Sequence, residues 1–349
     1  MEHQHSSVQK KQDSKLNNQS NQATHGQQSV TAPIPHNLTS DAILALQQSH
    51  GNQYVQRLLS ESPPSLIKSS ISLLDRSFIQ RVSFNATPWE DATGAVVKPS
   101  GHGGVVFVSF GTEKIVVKKG TPNEAFAAGL AAQAGLHAPQ TRQVESEEAS
   151  RIENAIGQYD VQVPNGRPYL VLEHFDGVDL SDVRDQEVAL TKDQVESLAR
   201  SLGRWLAFDI LIAENDRFGL LNGGLGHNVN SANFLLDPTS HMPQIVGIDQ
   251  FVMSSDTKGG EEVYDTIKKG DLSSGIAYSI GMMAYNYTGK VKGTNPEGLD
   301  EIVMAGAKEQ MLTIGQSLDE TEVRQLALSL GVGENAVEGL LKRLEKFKS

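Results

Sequence analysis

Hydrophobic and polar positions change period several times along the chain, and each change marks an element. Between Ala95 and Lys118 the apolar residues fall in short β-branched stretches. Ala95-Val96-Val97, Val105 to Val108 and Ile115-Val116-Val117 are separated by Gly101-His102-Gly103-Gly104 and by Gly111-Thr112. That pattern predicts strand, glycine turn, strand, turn, strand. Thr121-Pro122-Asn123-Glu124 then opens a helix, with proline at the first helical position and Thr and Glu at capping-box spacing, and alanine-rich sequence carries it to Gly135. A charged segment from Arg142 to Asn154 follows, then two further predicted strands, Tyr159 to Val163 and Tyr169 to Phe175. Asp179 to Leu190 is polar and irregular. Thr191 with Gln194 makes a second capping box, starting a helix whose apolar side carries Leu198, Leu202, Trp205 and Ile212. Its periodicity stops at Glu214-Asn215-Asp216-Arg217. After a loop rich in Gly and Asn, the runs Asn233 to Asp237 and Gln244 to Phe251 read as a hairpin. The remainder is helical in pattern: Leu272 to Tyr287, Leu299 to Leu312, Glu320 to Leu330 and Glu334 to Phe347. Strand periods first and helical periods later predict an α+β chain. Its β-rich N-terminal lobe spans about 84–175 and its helical C-terminal lobe about 176–349.

Residues 1–39 are rich in Gln, Ser, Asn and His with few apolar side chains, the composition of a tail that cannot offset its ordering entropy. His3, His5 and His25 match no zinc spacing. From Ser40 an amphipathic pattern returns around Gly51, within a helical element and linker over 40–83. There Leu46-Gln47, Gly51-Asn52, Val55 and Arg57-Leu58-Leu59 resemble a short element found near the N-termini of proteins linked to bacterial extracellular contractile injection systems. The resemblance, confined to 46–59, implies cargo loaded through its N-terminal segment into an injection particle. Such a protein would be made in the bacterial cytoplasm and delivered to a target cell.

Composition removes other classes. The 349 residues include no cysteine, which excludes disulfides, a thiol nucleophile and Cys-ligated zinc. A formal net charge of -12 opposes binding to nucleic acid or an anionic membrane, since both are polyanions. No apolar run approaches the roughly 20 residues that insertion across a bilayer needs, and the polar start lacks the apolar region of a signal peptide.

The candidate chemistry is phosphoryl transfer, which needs a proton acceptor, oxygen ligands for Mg²⁺ and cations on the phosphates. Asp216, Asn233 and Asp249 fit the first two needs, because magnesium prefers carboxylate and carbonyl oxygen. Gly101, Gly103 and Gly104 offer backbone amides that can approach phosphates, although the same turn also suits an ordinary hairpin. The nucleotide is not held by a G-x-x-x-x-G-K-[ST] loop, which occurs nowhere. Lys118 and Lys119 alternate along a strand, so only one enters a cleft, and Lys118 is the candidate. Glu124 is either its partner or only a cap. Tyr169 to Gly177 reads as an apolar strand entering a polar connector; were the chain a two-lobed kinase, that connector, with Glu173 and Phe175, would be the hinge that meets the adenine of ATP.

Several of these residues carry a family likeness. Glu124 to Ala131, Gly135-Leu136-His137-Ala138-Pro139, Phe208 to Arg217, Asn233-Phe234-Leu235-Leu236 and Ile248-Asp249-Gln250 resemble the catalytic domain of actin-fragmin kinase. That domain shares the two-lobed protein-kinase-like fold of the phosphatidylinositol kinases, and the likeness covers roughly Ala95 to Phe251. It implies an ATP- and Mg²⁺-dependent kinase, with Lys118 on the phosphates, Asp216 as base, and Asn233 and Asp249 on metal. The sequence departs from common kinase motifs in a long loop between Asp216 and Asn233 and in Gln250 where a glycine follows the metal Asp. Asn222, Asn228 and Asn230 therefore compete with Asn233 as the amide ligand.

The first functional expectation is a protein Ser/Thr kinase effector acting on a host protein such as actin. The competing readings are a lipid or small-molecule kinase of the same fold, a nucleotidyl-transferring homologue, and a pseudokinase or nucleotide-binding cargo protein.

Overall fold

Alternation fixes the first sheet. Val106 and Val108 on β2 (Val106–Phe110) and Ile115 and Val117 on β3 (Glu113–Lys119) turn to one face and are buried there. β1 (Gly94–Val97) pairs antiparallel with β2, and β2 with β3. The other edge of β3 takes β5 (Tyr169–Glu173), and β4 (Thr141–Gln143) lies outside it, giving the antiparallel order β1-β2-β3-β5-β4. The computed structural model describes residues 84, 87–98, 104–161, 168–180, 190–220, 230–236, 245–288 and 298–349. All described residues belong to one compact unit. The predicted tail and the element resembling injection-system cargo lie outside the described residues.

One face of the sheet closes over Phe84, Trp89 and α2 (Ser146–Gly157), whose Ile152, Ala155 and Ile156 form a narrow apolar stripe. Glu148 fastens this layer: its carboxylate accepts both guanidinium arms of Arg142 at 2.6 Å and the Trp89 indole N–H at 2.7 Å. The other face carries α1 (Pro122–Gln133), where Ala125 packs on Leu170 and Leu172 of β5.

One sequence expectation fails in this lobe, and one segment left unassigned proves to be structured. The charged segment contains β4 and α2, and Tyr159, expected to open a strand, stands in the turn that ends α2. Asp160 there has a left-handed φ of 56°, and the Tyr159 hydroxyl donates to Ala92 O at 2.7 Å. Three apolar residues at helical spacing are enough once a sheet covers them, but they are hard to see among so many charges.

The C-terminal lobe is built on α3 (Lys192–Ile212), capped as the sequence predicts by the reciprocal Thr191 and Gln194 hydrogen bonds. Leu198, Leu202, Trp205, Phe208 and Ile212 are buried in the main core. Across α3 lies α6 (Leu299–Ser317), so close that a Cβ added at Gly203 would stand 2.0 Å from Val303 O. A three-stranded sheet, β6 (Val178–Asp179), β7 (Phe234–Leu236) and β8 (Ile245–Gly247), lies beside α3, and its β7–β8 pair is the expected hairpin. The lobe is completed by α4 (Lys258–Lys269), α5 (Gly275–Thr288), α7 (Glu320–Leu330) and α8 (Glu334–Lys348). The sequence reading omitted α4, which buries only a thin stripe of Val263, Tyr264 and Ile267. Among the described residues, no helix is long and apolar enough to cross a membrane.

Candidate active site

Because Ile115 and Val117 point into the β-lobe core, Lys118 leaves β3 on the α1 side. Lys119 takes the opposite face and lies over the Tyr169 ring, 4.5 Å from its centroid. Lys118 Nζ meets Glu124 Oε2 at 2.6 Å and also pairs with Asp249. Glu124 combines both roles left open by its spacing, since its Oε1 accepts the Thr121 N–H at 3.1 Å while Oε2 holds the lysine. Burial alone would push the Lys118 ammonium down, but Asp249 and then Glu124 outweigh it and hold its pKa above the usual value. Lys118 is therefore a charged ammonium between two carboxylates, one from each lobe.

The opposite wall is assembled at the end of α3. Ala213 closes the helix with a left-handed φ of 57° and turns the chain into Glu214, a buried carboxylate that organises the loop. Its Oε1 accepts the N–H groups of Asn215 at 2.8 Å and Asp216 at 3.0 Å, and its Oε2 accepts Phe251 N–H at 2.8 Å. Arg217 is fully buried. It forms a two-armed ion pair with Asp209, with Nε at 2.9 Å from Oδ2, and donates from Nη1 to Ile248 O at 3.2 Å and to Gln250 Oε1 at 3.4 Å. The guanidinium lies over Trp205 at 4.8 Å and Phe234 at 5.5 Å, and Tyr287 donates its hydroxyl to Arg217 O. Burial pushes the Asp209 carboxyl up against the opposing pull of Arg217.

This buried work leaves Asp216 exposed beside an ordered set of amides. Its carbonyl accepts Asn230 N–H at 2.8 Å, Asn230 Nδ2 donates to Asn233 Oδ1 at 3.1 Å, and Asn233 O accepts Ile248 N–H at 2.9 Å. The next residue is Asp249, with a left-handed φ of 57° and a side chain about half exposed (46%). Asp216, Asn230, Asn233, Asp249, Lys118 and Glu124 are thus linked by direct contacts or by backbone pairing. Asn222 and Asn228 lie outside the described residues.

The proposed nucleotide contacts are more scattered. Gly101 and Gly103 lie outside the described residues, and Gly104, with φ of 63°, leads into β2. Glu173 is engaged with Gln140 through both backbone and side chain, donating N–H to Gln140 O at 2.9 Å and accepting Gln140 N–H on Oε2 at 3.3 Å. Phe175 lies in the connector after β5, its carbonyl accepting Gly177 N–H at 3.0 Å. Beside it His174 meets Phe107 edge-on with centroids 5.5 Å apart, and burial pushes the imidazole down. An ion pair absent from the sequence reading, Lys98 with Asp179 at 3.1 Å, joins the start of the glycine turn to β6. Asp209, Glu214 and Arg217 were also missed as organising groups. Their only sequence signal is charge on or just after an otherwise apolar helix, which does not reveal who pairs with whom.

Among the described residues no cluster of three His, Asp or Glu offers a metal site. The candidate donors are the half-exposed Asp249 carboxylate, paired with Lys118, and the buried Asn233, whose Oδ1 already accepts from Asn230 Nδ2 at 3.1 Å; both are oxygen donors. That suits Mg²⁺, which keeps water and takes one or two protein carboxylates together with substrate phosphates.

An antiparallel β-lobe followed by a helical lobe thus brings a strand lysine, a helix glutamate and an aspartate following the β7–β8 hairpin into direct contact, with an exposed loop aspartate at the end of α3. No protein-family model matches the chain, and no curated protein matches it. Among solved structures it is similar to a Helicobacter pylori proinflammatory kinase, CtkA, at 15% identity over 74% of this chain and 94% of that chain, with a TM-score of 0.34. It is also similar to WaaP solved in complex with acyl carrier protein, at 12% identity over 77% of this chain and 96% of the other, with a TM-score of 0.37.

Proposed function

We propose that the chain is an ATP- and Mg²⁺-dependent phosphotransferase that moves the γ-phosphoryl group to a hydroxyl, with a protein Ser or Thr as the acceptor. The observation that carries this reading is Lys118 paired at once with Glu124 of the β-lobe and Asp249 of the helical lobe. Lys118, held charged and oriented by Glu124, would bind the nucleotide's phosphates. Asn233 and Asp249 would hold Mg²⁺, whose charge when bound offsets that of the phosphates. Asp216 is exposed, and its backbone N–H and C=O are both tied down, so its carboxylate is presented to an incoming hydroxyl and would accept that proton. The resemblance to actin-fragmin kinase supports a protein acceptor, and the N-terminal resemblance supports delivery by an injection particle to a host cell.

Incubation with γ-labelled ATP, Mg²⁺ and host-cell lysate tests the reading, beside Asp216→Ala and Asp249→Ala. Labelling of a protein band by the parent alone is the expected result. Equal labelling by all three removes the mechanism. Nucleotide binding without transfer to protein, lipid or small molecule leaves the pseudokinase reading, which Gln250 after the metal Asp favours.

A further inference from the structure

The C-terminal helix reaches the segment that leaves Asp249. Arg343 on α8 is almost wholly buried, 4% exposed, yet all three of its acceptors lie outside α8. Nε donates to Leu211 O in the last turn of α3 at 2.5 Å, Nη2 to Met253 O at 2.7 Å and Nη1 to Asp256 Oδ1 at 3.0 Å. One planar fork thus joins the helix that ends at the Asp216 loop to the chain that follows Asp249. Gly339, one turn earlier on the same helix, lies so near this chain that an added Cβ would stand 2.2 Å from Ser254 O. Met253 N–H also donates to Ile212 O at 2.9 Å, and Asn123, beside Glu124, donates to Val252 O at 3.3 Å.

Asp249 needs such restraint. A non-glycine residue with left-handed φ is strained and persists only where its neighbours fix it. Upstream, Arg217 holds Ile248 O; downstream, Glu214 holds Phe251 N–H and Arg343 holds Met253 O. The downstream anchor comes from the last helix of the chain. Only eight residues separate Asp249 from α4, so the pinned stretch is the whole connection.

We infer that Arg343 is a positioning residue for the Asp249 carboxylate, and that α8 serves as a built-in brace keeping the proposed metal-binding segment in its working conformation. This rests on the proposed phosphotransferase reading for its metal, but its mechanical part does not. Aromatic bulk is not what this contact requires; the fork is, so lysine, with its single ammonium, cannot replace it.

The test uses Arg343→Lys, Gly339→Ala and Asp256→Asn, with Arg151→Ala, an exposed β-lobe residue paired with Glu90, as a control. Ligand-free amide hydrogen exchange is read at Phe251 and Met253 against Leu202 in α3. Calorimetry gives the Mg²⁺ concentration that half-saturates ATP binding. The inference predicts at least about tenfold faster exchange at Phe251 and Met253 with Leu202 unchanged, and a half-saturating Mg²⁺ concentration raised about tenfold or more, the size of effect seen when an outer partner of a metal ligand is lost. A purely structural role would speed all three amides together. Unchanged exchange at Phe251 and Met253, uniform acceleration, or Mg²⁺ dependence within twofold of the parent overturns the inference. If Arg343→Lys does not fold, Gly339→Ala and Asp256→Asn decide by the same criteria. A parent showing no Mg²⁺-dependent ATP binding but local acceleration in the variants refutes the phosphotransferase reading and leaves the brace.

Discussion

Asp209→Leu strips the buried Arg217 guanidinium of its ion-paired carboxylate, and the structure sets the size of the effect. Arginine cannot shed its proton, so the charge stays at a position with no exposure to water. Ile248 O at 3.2 Å and Gln250 Oε1 at 3.4 Å remain, as do the Trp205 and Phe234 faces. Breaking a buried pair by removing one partner costs about 3–5 kcal/mol. The surviving acceptors and rings place this case near the lower end, roughly 3 kcal/mol. For a domain of this size that is a fall in Tm of roughly 6–12 °C. Asp209→Leu with Arg217→Met removes both charges and fills similar volume, so most of the loss should return, to within about 1–2 kcal/mol of the parent. Urea unfolding of both variants, with thermal melts beside them, measures this. A cost below about 1 kcal/mol for the single change, or a double variant no more stable than the single, would refute the claim that the pair is a coupled buried charge. The double variant also frees Ile248 O, so it is expected to fold while losing Mg²⁺-dependent nucleotide binding.

Lys118→Met should leave the fold intact and weaken ATP binding by about 2 kcal/mol, roughly thirtyfold, by leaving Glu124 and Asp249 without their shared cation; titration calorimetry reads it. Gly203→Ala places a methyl against Val303 O and should cost roughly 3 kcal/mol in chemical denaturation, whereas Gly157→Ala, which meets nothing, should be near neutral. At Glu148, burial favours the neutral acid, but hydrogen bonds from Arg142 and Trp89 outweigh it and hold the carboxyl below its ordinary 4.5. A depressed folded pKa means the stabilisation is full above pH 4.5 and is lost as pH falls through the folded value. Glu148→Gln should therefore reduce stability at pH 7 and flatten its decline below pH 4.5, as melts across pH show.

Much of this site was readable from local pattern because its parts are placed by local rules. Strand alternation separated Lys118 from Lys119, the capping box put Glu124 in the first turn of its helix, and two short apolar runs announced the hairpin that carries Asn233 and Asp249. What was hidden depends on contacts distant in sequence. Arg217 looked like any charged residue after a helix, yet it lies over the Trp205 and Phe234 rings and holds Ile248 O. The α2 stripe of Ile152, Ala155 and Ile156 has meaning only beneath a sheet, so the charges around it dominated the pattern. Arg343, on the final helix, gains its role from Leu211, Met253 and Asp256, none of them near it in the chain.

The claim everything rests on is that Lys118 and Asp249 face one bound nucleotide with its magnesium. Calorimetric titration of ATP into the parent and Asp249→Ala, with and without Mg²⁺, tests it most directly. The account predicts that Mg²⁺ strengthens binding to the parent by about tenfold or more and has no effect on the variant, which lacks the carboxylate proposed to hold it. Equal Mg²⁺ enhancement in both proteins, or no ATP binding by the parent at millimolar concentration, would contradict it.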